Sequence, residues 1–262
     1  MTKQLEGMVA VITGGASGIG LGIAKRYVAE GARVMLSDLN VDALAAAAAE
    51  LGDSVATQRA DVTQEADVEA MVAATVERFG RLDIAVNAAG IGSLAPVDQH
   101  PVEMWDQILA VNLRGTMLAL KYELQVMGPA GSGVVINIAS INAKVPAKNM
   151  SAYCASKAAV DMLTRCAALE IAPKGVRVVG IGPGLVETPL TEPLTGHSEV
   201  RESYLQSIPL GRLGAPADIA GLALYLAGPD ASWVTGHTFY IDGGEANLSY
   251  PDIMGIAGQS EG

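Results

Sequence analysis

The chain has 262 residues, of which 50% are hydrophobic and 17% charged, and its formal net charge is −11. This composition excludes general disorder, and the acidic balance argues against a nucleic-acid partner because phosphate backbones attract basic proteins. Aromatic residues make up only 4%, so small aliphatic side chains must build the core, which is typical of parallel sheets covered by helices.

The first segment, MTKQLEGMVAVITGG, has early glycines and no long apolar run. It therefore predicts neither a signal peptide nor a membrane span. Cys154 and Cys166 have no CxxC spacing, which predicts reduced thiols in a cytoplasmic protein. His100, His197 and His237 are scattered, and no metal site is expected.

In chain order, short strand-like runs alternate with longer helical patterns. The predicted strands cover residues 8–13, 32–38, 54–61, 81–90, 134–140, 176–184 and 238–242. The predicted helices cover 18–30, 41–51, 64–80, about 102–127, about 151–172 and 216–228. Such alternation is typical of an α/β fold with a parallel sheet and right-handed connections.

No linker, charge run or internal repeat divides the sequence, so residues 1–262 are predicted to form a single cofactor-binding catalytic domain. Residues 188–208 have the pattern of a partly helical lid that orders when substrate binds. The tail, 245–262, remains unassigned, and its three glycines after residue 250 indicate looseness.

The first predicted strand runs into the glycine-rich loop TGGASGIG at 13–20. Its glycines let the backbone turn sharply and approach a ligand, and the next helix offers free N–H groups at its positive end. A pyrophosphate suits this place, although a plain glycine-rich turn is the alternative.

Asp38 ends the second strand, where a carboxylate accepts both ribose hydroxyls and repels a 2′-phosphate. NAD is therefore favoured over NADP, and a solvated turn aspartate is the alternative.

Tyr153 and Lys157 are four residues apart, which places both on one face of a helix. Lowering the pKa of the phenol by about three units takes about 4 kcal/mol. A nearby ammonium, helped by the positive charge of an oxidised nicotinamide, is expected to supply it and to favour the phenolate. Such a tyrosine can take a proton from a substrate hydroxyl. Ser140 ends a strand at the ligand edge of the sheet and is placed to orient the substrate oxygen. The alternatives are that Tyr153 and Lys157 form a surface pair without a role, and that Ser140 merely ends a strand.

Together these residues resemble the classical short-chain dehydrogenase/reductase family over roughly residues 5–244. The glycine loop, Asp61-Val62, NAAG at 87–90, Asn112 in VNLRG, the Ser140–Tyr153–Lys157 set, Pro183-Gly184 with Thr188, and DGG at 242–244 match the family motifs in order. Alanine replaces the second asparagine of the family's NNAG turn, and Gly182 replaces the asparagine of its NPG turn.

The resemblance implies a single-domain, Rossmann-like, doubly wound sheet of about seven strands with helices on both faces. It implies catalysis by Asn112, Ser140, Tyr153 and Lys157, with a proton relay through a water held by Asn112, and a homotetramer. It also implies that NAD is bound by Gly14, Ser17, Gly18, Ile19, Gly20, Asp38, Leu39, Asp61, Val62, Asn87, Ala88, Gly90, Tyr153, Lys157, Pro183, Gly184, Val186 and Thr188.

The predicted reaction is NAD-dependent interconversion of a secondary alcohol and a ketone, with no nucleic-acid or membrane partner. The runner-up is a 3-oxoacyl-carrier-protein reductase, and a catalytically silent nucleotide-binding protein is a further alternative. Because no serine has glycines at both −2 and +2, the hydrolase elbow is absent from the sequence. The candidate substrate-contacting residues are Leu94, Asn142, Val145, Leu185, Leu190 and Tyr204.

Overall fold

Seven strands appear in the computed structural model, which describes residues 3–247. They are β1 Val9–Thr13, β2 Arg33–Asp38, β3 Val55–Arg59, β4 Ile84–Asn87, β5 Gly133–Ile138, β6 Val176–Pro183 and β7 Thr238–Ile241. All pairings are parallel, and the strand order is β3-β2-β1-β4-β5-β6-β7. The order reverses between β1 and β4, which confirms the doubly wound fold and puts a crevice at the carboxyl ends of these two strands.

Nine α-helices lie within the described residues. They are α1 Gly18–Ala29, α2 Val41–Leu51, α3 Glu65–Phe79, α4 Val102–Leu109, α5 Gly115–Ala130, α6 Ser151–Ile171, α7 Glu192–Thr195, α8 Ser198–Ser207 and α9 Pro216–Ala227. Within residues 3–247, we find no helix with the length and apolar character needed to span a bilayer.

Two apolar layers cover the sheet, and β1 contributes to both. Ala10 and Ile12 face the layer that contains α1 and α9, whereas Val9 and Val11 face the layer that contains α3, α5 and α6. Every residue of β1 is buried. This explains why the strand reads as a continuous apolar run rather than an alternating one.

The predicted single helix over 102–127 is interrupted. A π-helical turn at Ala110–Arg114 separates α4 from α5, and the amide of Gly115 bonds to the carbonyl of Ala110. The helix also continues past Met127 and ends only where Gly131 adopts a left-handed conformation, with φ of 72°. The hydrophobic pattern is continuous across the π turn, so the sequence alone gives no sign of the break.

The predicted lid, 188–208, contains α7 and α8, and its closure stays a prediction. Most of the tail, 245–262, lies outside the described residues. Its first three residues, Glu245–Asn247, form a 3₁₀ turn after β7.

Candidate active site

The loop between β1 and α1 has a shape that glycine allows. Gly14 and Gly18 have φ of 64° and 52°. A Cβ on Gly14 would lie 2.9 Å from the Ala89 backbone, and one on Gly20 would lie 2.2 Å from the Gly14 carbonyl. Within the described residues, Ser17 makes no side-chain capping bond to α1. The N–H groups of the first helical turn are thus available to an anionic ligand.

A cleft of about 330 Å³ opens beside this loop. Asp38 lies in its wall, where its carboxylate oxygens are 3.4 Å from the Ala16 amide and 3.1 Å from the Asn40 amide. The described residues of the wall include no lysine or arginine. Its glycine loop and its acidic wall fit the phosphates and the ribose of a dinucleotide.

Most of the residues predicted to bind the cofactor lie in this wall. They are Gly14, Ser17, Gly18, Ile19, Gly20, Asp38, Leu39, Asp61, Val62, Ala88, Gly90 and Thr188. Their contact with a cofactor stays a prediction.

The remaining predicted cofactor residues lie around the cleft. Pro183 is buried at the end of β6, Val186 lines a separate small cavity, and Gly184 lines the second cavity described below. The side chain of Asn87 turns into the core, where its Nδ2 donates to Glu123 at 3.1 Å and Asn137 at 3.0 Å.

Tyr153 and Lys157 lie on the first turns of α6, as their spacing predicts. The Lys157 Nζ is 5.6 Å from the centre of the Tyr153 ring and donates a hydrogen bond to the Ile138 carbonyl at 2.8 Å. A Cβ on Gly90 would lie 3.6 Å from this Nζ. The Lys157 ammonium therefore lies between the end of β5, the Tyr153 ring and Gly90 in the wall of the cleft.

The structure shifts the pKa values of Tyr153 and Lys157. Burial raises this pKa above its ordinary value, and a hydrogen bond from Ser140 opposes the rise. Burial also lowers the pKa of Lys157 to about 8. Burial penalises both charged forms, and the predicted lowering of the phenol pKa by Lys157, helped by an oxidised nicotinamide, stays a prediction.

Asn112 lies in the π-helical turn and is fully buried. Its Oδ1 accepts a bond from the Ile91 amide at 2.9 Å, while its Nδ2 donates to the Ile91 carbonyl and to Ser156 Oγ. The side chain thus holds the loop after β4 against α6. The relay water predicted for Asn112 stays a prediction.

A second cavity, of about 380 Å³, adjoins the first. Leu190 lies in the walls of both cavities, and Ser140 and Tyr153 lie in the wall of the second. Ser140 Oγ accepts a bond from the Asn142 amide at 3.1 Å, which fixes the hydroxyl. A substrate oxygen in this cavity can therefore reach both hydroxyls beside the cleft.

The six candidate substrate residues all line this second cavity, namely Leu94, Asn142, Val145, Leu185, Leu190 and Tyr204. Their contact with substrate stays a prediction. Sequence reasoning missed Met150, Leu194 and Glu245 in the same wall. Glu245 directly follows the DGG turn. The position of this turn at the end of β7, beside the ligand crevice, is the signal that could have identified it.

A nucleotide cleft beside a serine–tyrosine–lysine set is the arrangement of a nicotinamide-dependent oxidoreductase. A family model described as Enoyl-(Acyl carrier protein) reductase matches residues 14–245. The chain belongs to the short-chain dehydrogenase/reductase family, as its motifs predict.

Three similar proteins illustrate the range of this family. The chain is 40% identical to 2,5-dichloro-2,5-cyclohexadiene-1,4-diol dehydrogenase LinX of Sphingobium indicum, over 93% of this chain and 98% of that protein. It is 38% identical to the 3-alpha-(or 20-beta)-hydroxysteroid dehydrogenase of Mycobacterium bovis, over 100% and 98%. It resembles 3-ketoacyl-(acyl-carrier-protein) reductase from Brucella melitensis complexed with NADH, with a TM-score of 0.87, 39% identity, and coverage of 92% and 99%.

Proposed function

We propose that the protein interconverts a secondary alcohol and a ketone with NAD as hydride carrier and Tyr153 as general acid and base. The main support for this proposal is that the two cavities adjoin and share Leu190 in their walls, while Ser140 and Tyr153 line the second cavity. A substrate oxygen held by these two hydroxyls is next to the cleft that fits the dinucleotide.

In this proposal, NAD⁺ supplies the hydride acceptor. The glycine loop would hold its pyrophosphate, and Asp38 would hold the adenosine ribose. Ser140 orients the substrate oxygen, and the Tyr153 phenolate takes the hydroxyl proton. Lys157 stabilises the phenolate, and the fixed contacts of Asn112 keep the floor of the cleft in place. For ketone reduction, Tyr153 donates the proton.

Tyr153 is partly buried in the wall of the second cavity, and its ionisation in this mechanism depends on nearby positive charge. Because burial alone raises the phenol pKa, a base near neutrality needs positive charge close by. The Lys157 ammonium and the cationic ring of the oxidised nicotinamide are the two sources in this proposal.

A dehydrogenase screen tests the reaction class. NAD⁺ with a panel of cyclic and acyclic secondary alcohols, including sugars and hydroxysteroids, is expected to give reduced-nicotinamide absorbance with at least one alcohol. The panel is also run in reverse with a 3-oxoacyl thioester, which is the substrate of the runner-up. Turnover of the thioester alone would favour that reading, and no turnover with any compound would favour a silent nucleotide-binding protein.

Asp38 is expected to select NAD over NADP. The change Asp38→Asn weakens the hydrogen bonds to the ribose hydroxyls of NADH and removes the charge that would repel the 2′-phosphate of NADPH. We expect the ratio of NADPH to NADH affinity to rise by about 10²-fold from the two effects together. Fluorescence titration with both reduced cofactors measures this ratio without any substrate.

The matched control is Asp53→Asn, an exposed aspartate at the opposite end of α2. It is expected to leave the ratio unchanged. An Asp38→Asn protein that binds NADPH no better than the original would contradict this assignment.

We also propose that the protein is a cytoplasmic homotetramer. Met162 and Leu169 lie on α6 with 55% and 81% of their residue surface exposed, and packing against another copy would bury them. Light scattering during size-exclusion chromatography is expected to give four times the chain mass of 26.9 kDa. A mass of one chain would contradict the proposal.

A further inference from the structure

One acidic side chain of the substrate cavity has no part in the mechanism above. Glu245 lies in the cavity wall on the turn after β7, and its Oε2 accepts a hydrogen bond from the Leu185 amide at 3.2 Å. Gly184 makes room for it, because a Cβ there would lie 2.8 Å from the same oxygen. The turn itself is held by Asp242, whose oxygens accept bonds from the Gly244 and Ala246 amides. The position of Glu245 is thus built into the end of the sheet.

The second carboxylate oxygen of Glu245 has no hydrogen-bond partner within residues 3–247. In the described wall of the cavity, Glu245 is the one carboxylate, and there is no lysine or arginine. Lys144, which precedes α6, instead lies 4.2 Å from the centre of the Tyr240 ring. The described wall of the cavity therefore offers one carboxylate acceptor, and it holds no lysine or arginine that would neutralise it.

The acceptor lies across the cavity from the reacting hydroxyls. Ser140 follows β5, Glu245 follows β7, and β6 lies between them. Strands two positions apart are separated by roughly 10 Å, and a hydrogen bond at each end takes about 3 Å. A ring or a short chain between two polar groups fits the remaining span.

Burial raises the pKa of Glu245, the bond from the Leu185 amide opposes the rise, and the charge of Asp242 raises it further. The phenol of Tyr204, on α8, lies within range of the Glu245 charge. Burial raises the pKa of Tyr204, and the charge of Glu245 raises it further. Tyr204 therefore stays a neutral phenol beside the acid. It adds a second polar contact to this side of the cavity without adding positive charge.

We infer that Glu245 determines substrate specificity by accepting a hydrogen bond from a second donor, a hydroxyl or an ammonium, on the alcohol or ketone substrate. The same carboxylate rejects substrates that carry a carboxylate or sulfonate at that place, because two like charges would meet in a wall that holds no lysine or arginine. This inference rests on the proposed alcohol–ketone reaction.

A matched series of substituted cyclohexanols tests the inference. The series carries hydroxymethyl, aminomethyl or carboxylate at position 4, with unsubstituted cyclohexanol as the reference. The original enzyme is expected to prefer the hydroxymethyl and aminomethyl compounds over the carboxylate by about 10- to 100-fold in kcat/KM, which is the size of one hydrogen bond to a charged group. A larger preference for the aminomethyl compound would identify an ammonium as the natural donor, and equal preference would identify a hydroxyl.

The variant Glu245→Gln keeps the size of the side chain and its bond to Leu185. We expect it to raise the relative kcat/KM of the carboxylate compound by about 10-fold or more while cyclohexanol turnover changes little. The exposed Glu103→Gln on α4 is the control and is expected to leave the order of the series unchanged. An unchanged order in Glu245→Gln, or an original enzyme that favours the carboxylate, would overturn the inference.

The reference compound separates the two proposals. If cyclohexanol is oxidised and the series shows no discrimination, the inference about Glu245 fails and the proposed reaction stands. If none of the four compounds is oxidised, thermal-shift titration of the NADH-bound enzyme with the same series decides. Tighter binding of the aminomethyl compound than of the carboxylate supports the role of Glu245, and the reverse order overturns it.

Discussion

Replacing Tyr153 by phenylalanine is expected to lower kcat/KM for alcohol oxidation by about 10²–10⁴-fold, which is the usual contribution of a positioned acid–base group. The change removes one hydroxyl and retains the ring, to which a Cβ on Gly92 would lie at 3.6 Å. Binding of NADH is expected to persist, because the glycine loop and Asp38 lie elsewhere in the cleft. Steady-state kinetics and NADH fluorescence titration measure the two effects separately.

The pH profile adds a second readout for Tyr153. Burial raises its pKa in the structure, so the phenolate fraction grows as pH rises, and we expect wild-type oxidation to accelerate toward alkaline pH. In the opposite direction, ketone reduction needs the neutral phenol and is expected to slow. The residual activity of Tyr153→Phe is expected to lack this dependence.

Tyr225→Phe is the matched control for this experiment. Tyr225 lies on α9 with 43% of its surface exposed, outside both cavities. Its loss of a hydroxyl is expected to leave the rate and the pH profile unchanged. Full activity in Tyr153→Phe would remove the tyrosine from the mechanism and with it the proposed reaction.

The sheet and the catalytic set could be predicted from the sequence because their signals are local. The continuous apolar run of β1 is typical of a parallel strand that is buried on both faces. The spacing of Tyr153 and Lys157 fixes them on one helix face whatever surrounds them. These features depend on neighbours in sequence, which a single chain displays.

The unpredicted features depend on contacts between distant segments. The inward turn of Asn87 requires Glu123, 36 positions later, as its partner. The rise in the Tyr153 pKa depends on how completely the surrounding elements bury it, and residue spacing carries no measure of that burial. Glu245 enters the substrate cavity because the sheet order brings the end of β7 beside β6.

Replacing Glu123 by glutamine is expected to stabilise the fold at neutral and alkaline pH. Glu123 is fully buried on α5, and burial raises its pKa to about 8 while a bond from Asn87 opposes the rise. Its Oε1 and the Oδ1 of Asn87 have no partners among the described residues. A neutral acid suits such a place better than a carboxylate, since ionisation would leave a buried charge without a cation.

The sign of the pH effect follows from proton binding. Between the ordinary value of 4.5 and the folded value of about 8, the folded state holds a proton that the unfolded state has lost. Stability is therefore highest, as far as Glu123 is concerned, below pH 4.5, and it falls as pH rises toward 8. At pH 7 the loss is about 3 kcal/mol, because each pKa unit is worth about 1.36 kcal/mol.

Glutamine keeps the acceptor for Asn87 and cannot ionise, so Glu123→Gln is expected to lose this pH dependence. Its advantage over wild type in free energy of unfolding is expected to grow by about 3 kcal/mol between pH 5 and pH 7. Denaturant unfolding at pH 5, 7 and 9 measures the difference, with the exposed Glu170→Gln on α6 as control. Parallel pH curves for Glu123→Gln and wild type would mean that Glu123 is ionised in the fold.

A chain of hydrogen bonds runs from Glu123 through Asn87 and Asn137 to Thr164 on α6. A neutral Glu123 therefore also holds the helix of Tyr153 to the sheet without introducing charge beneath the cleft.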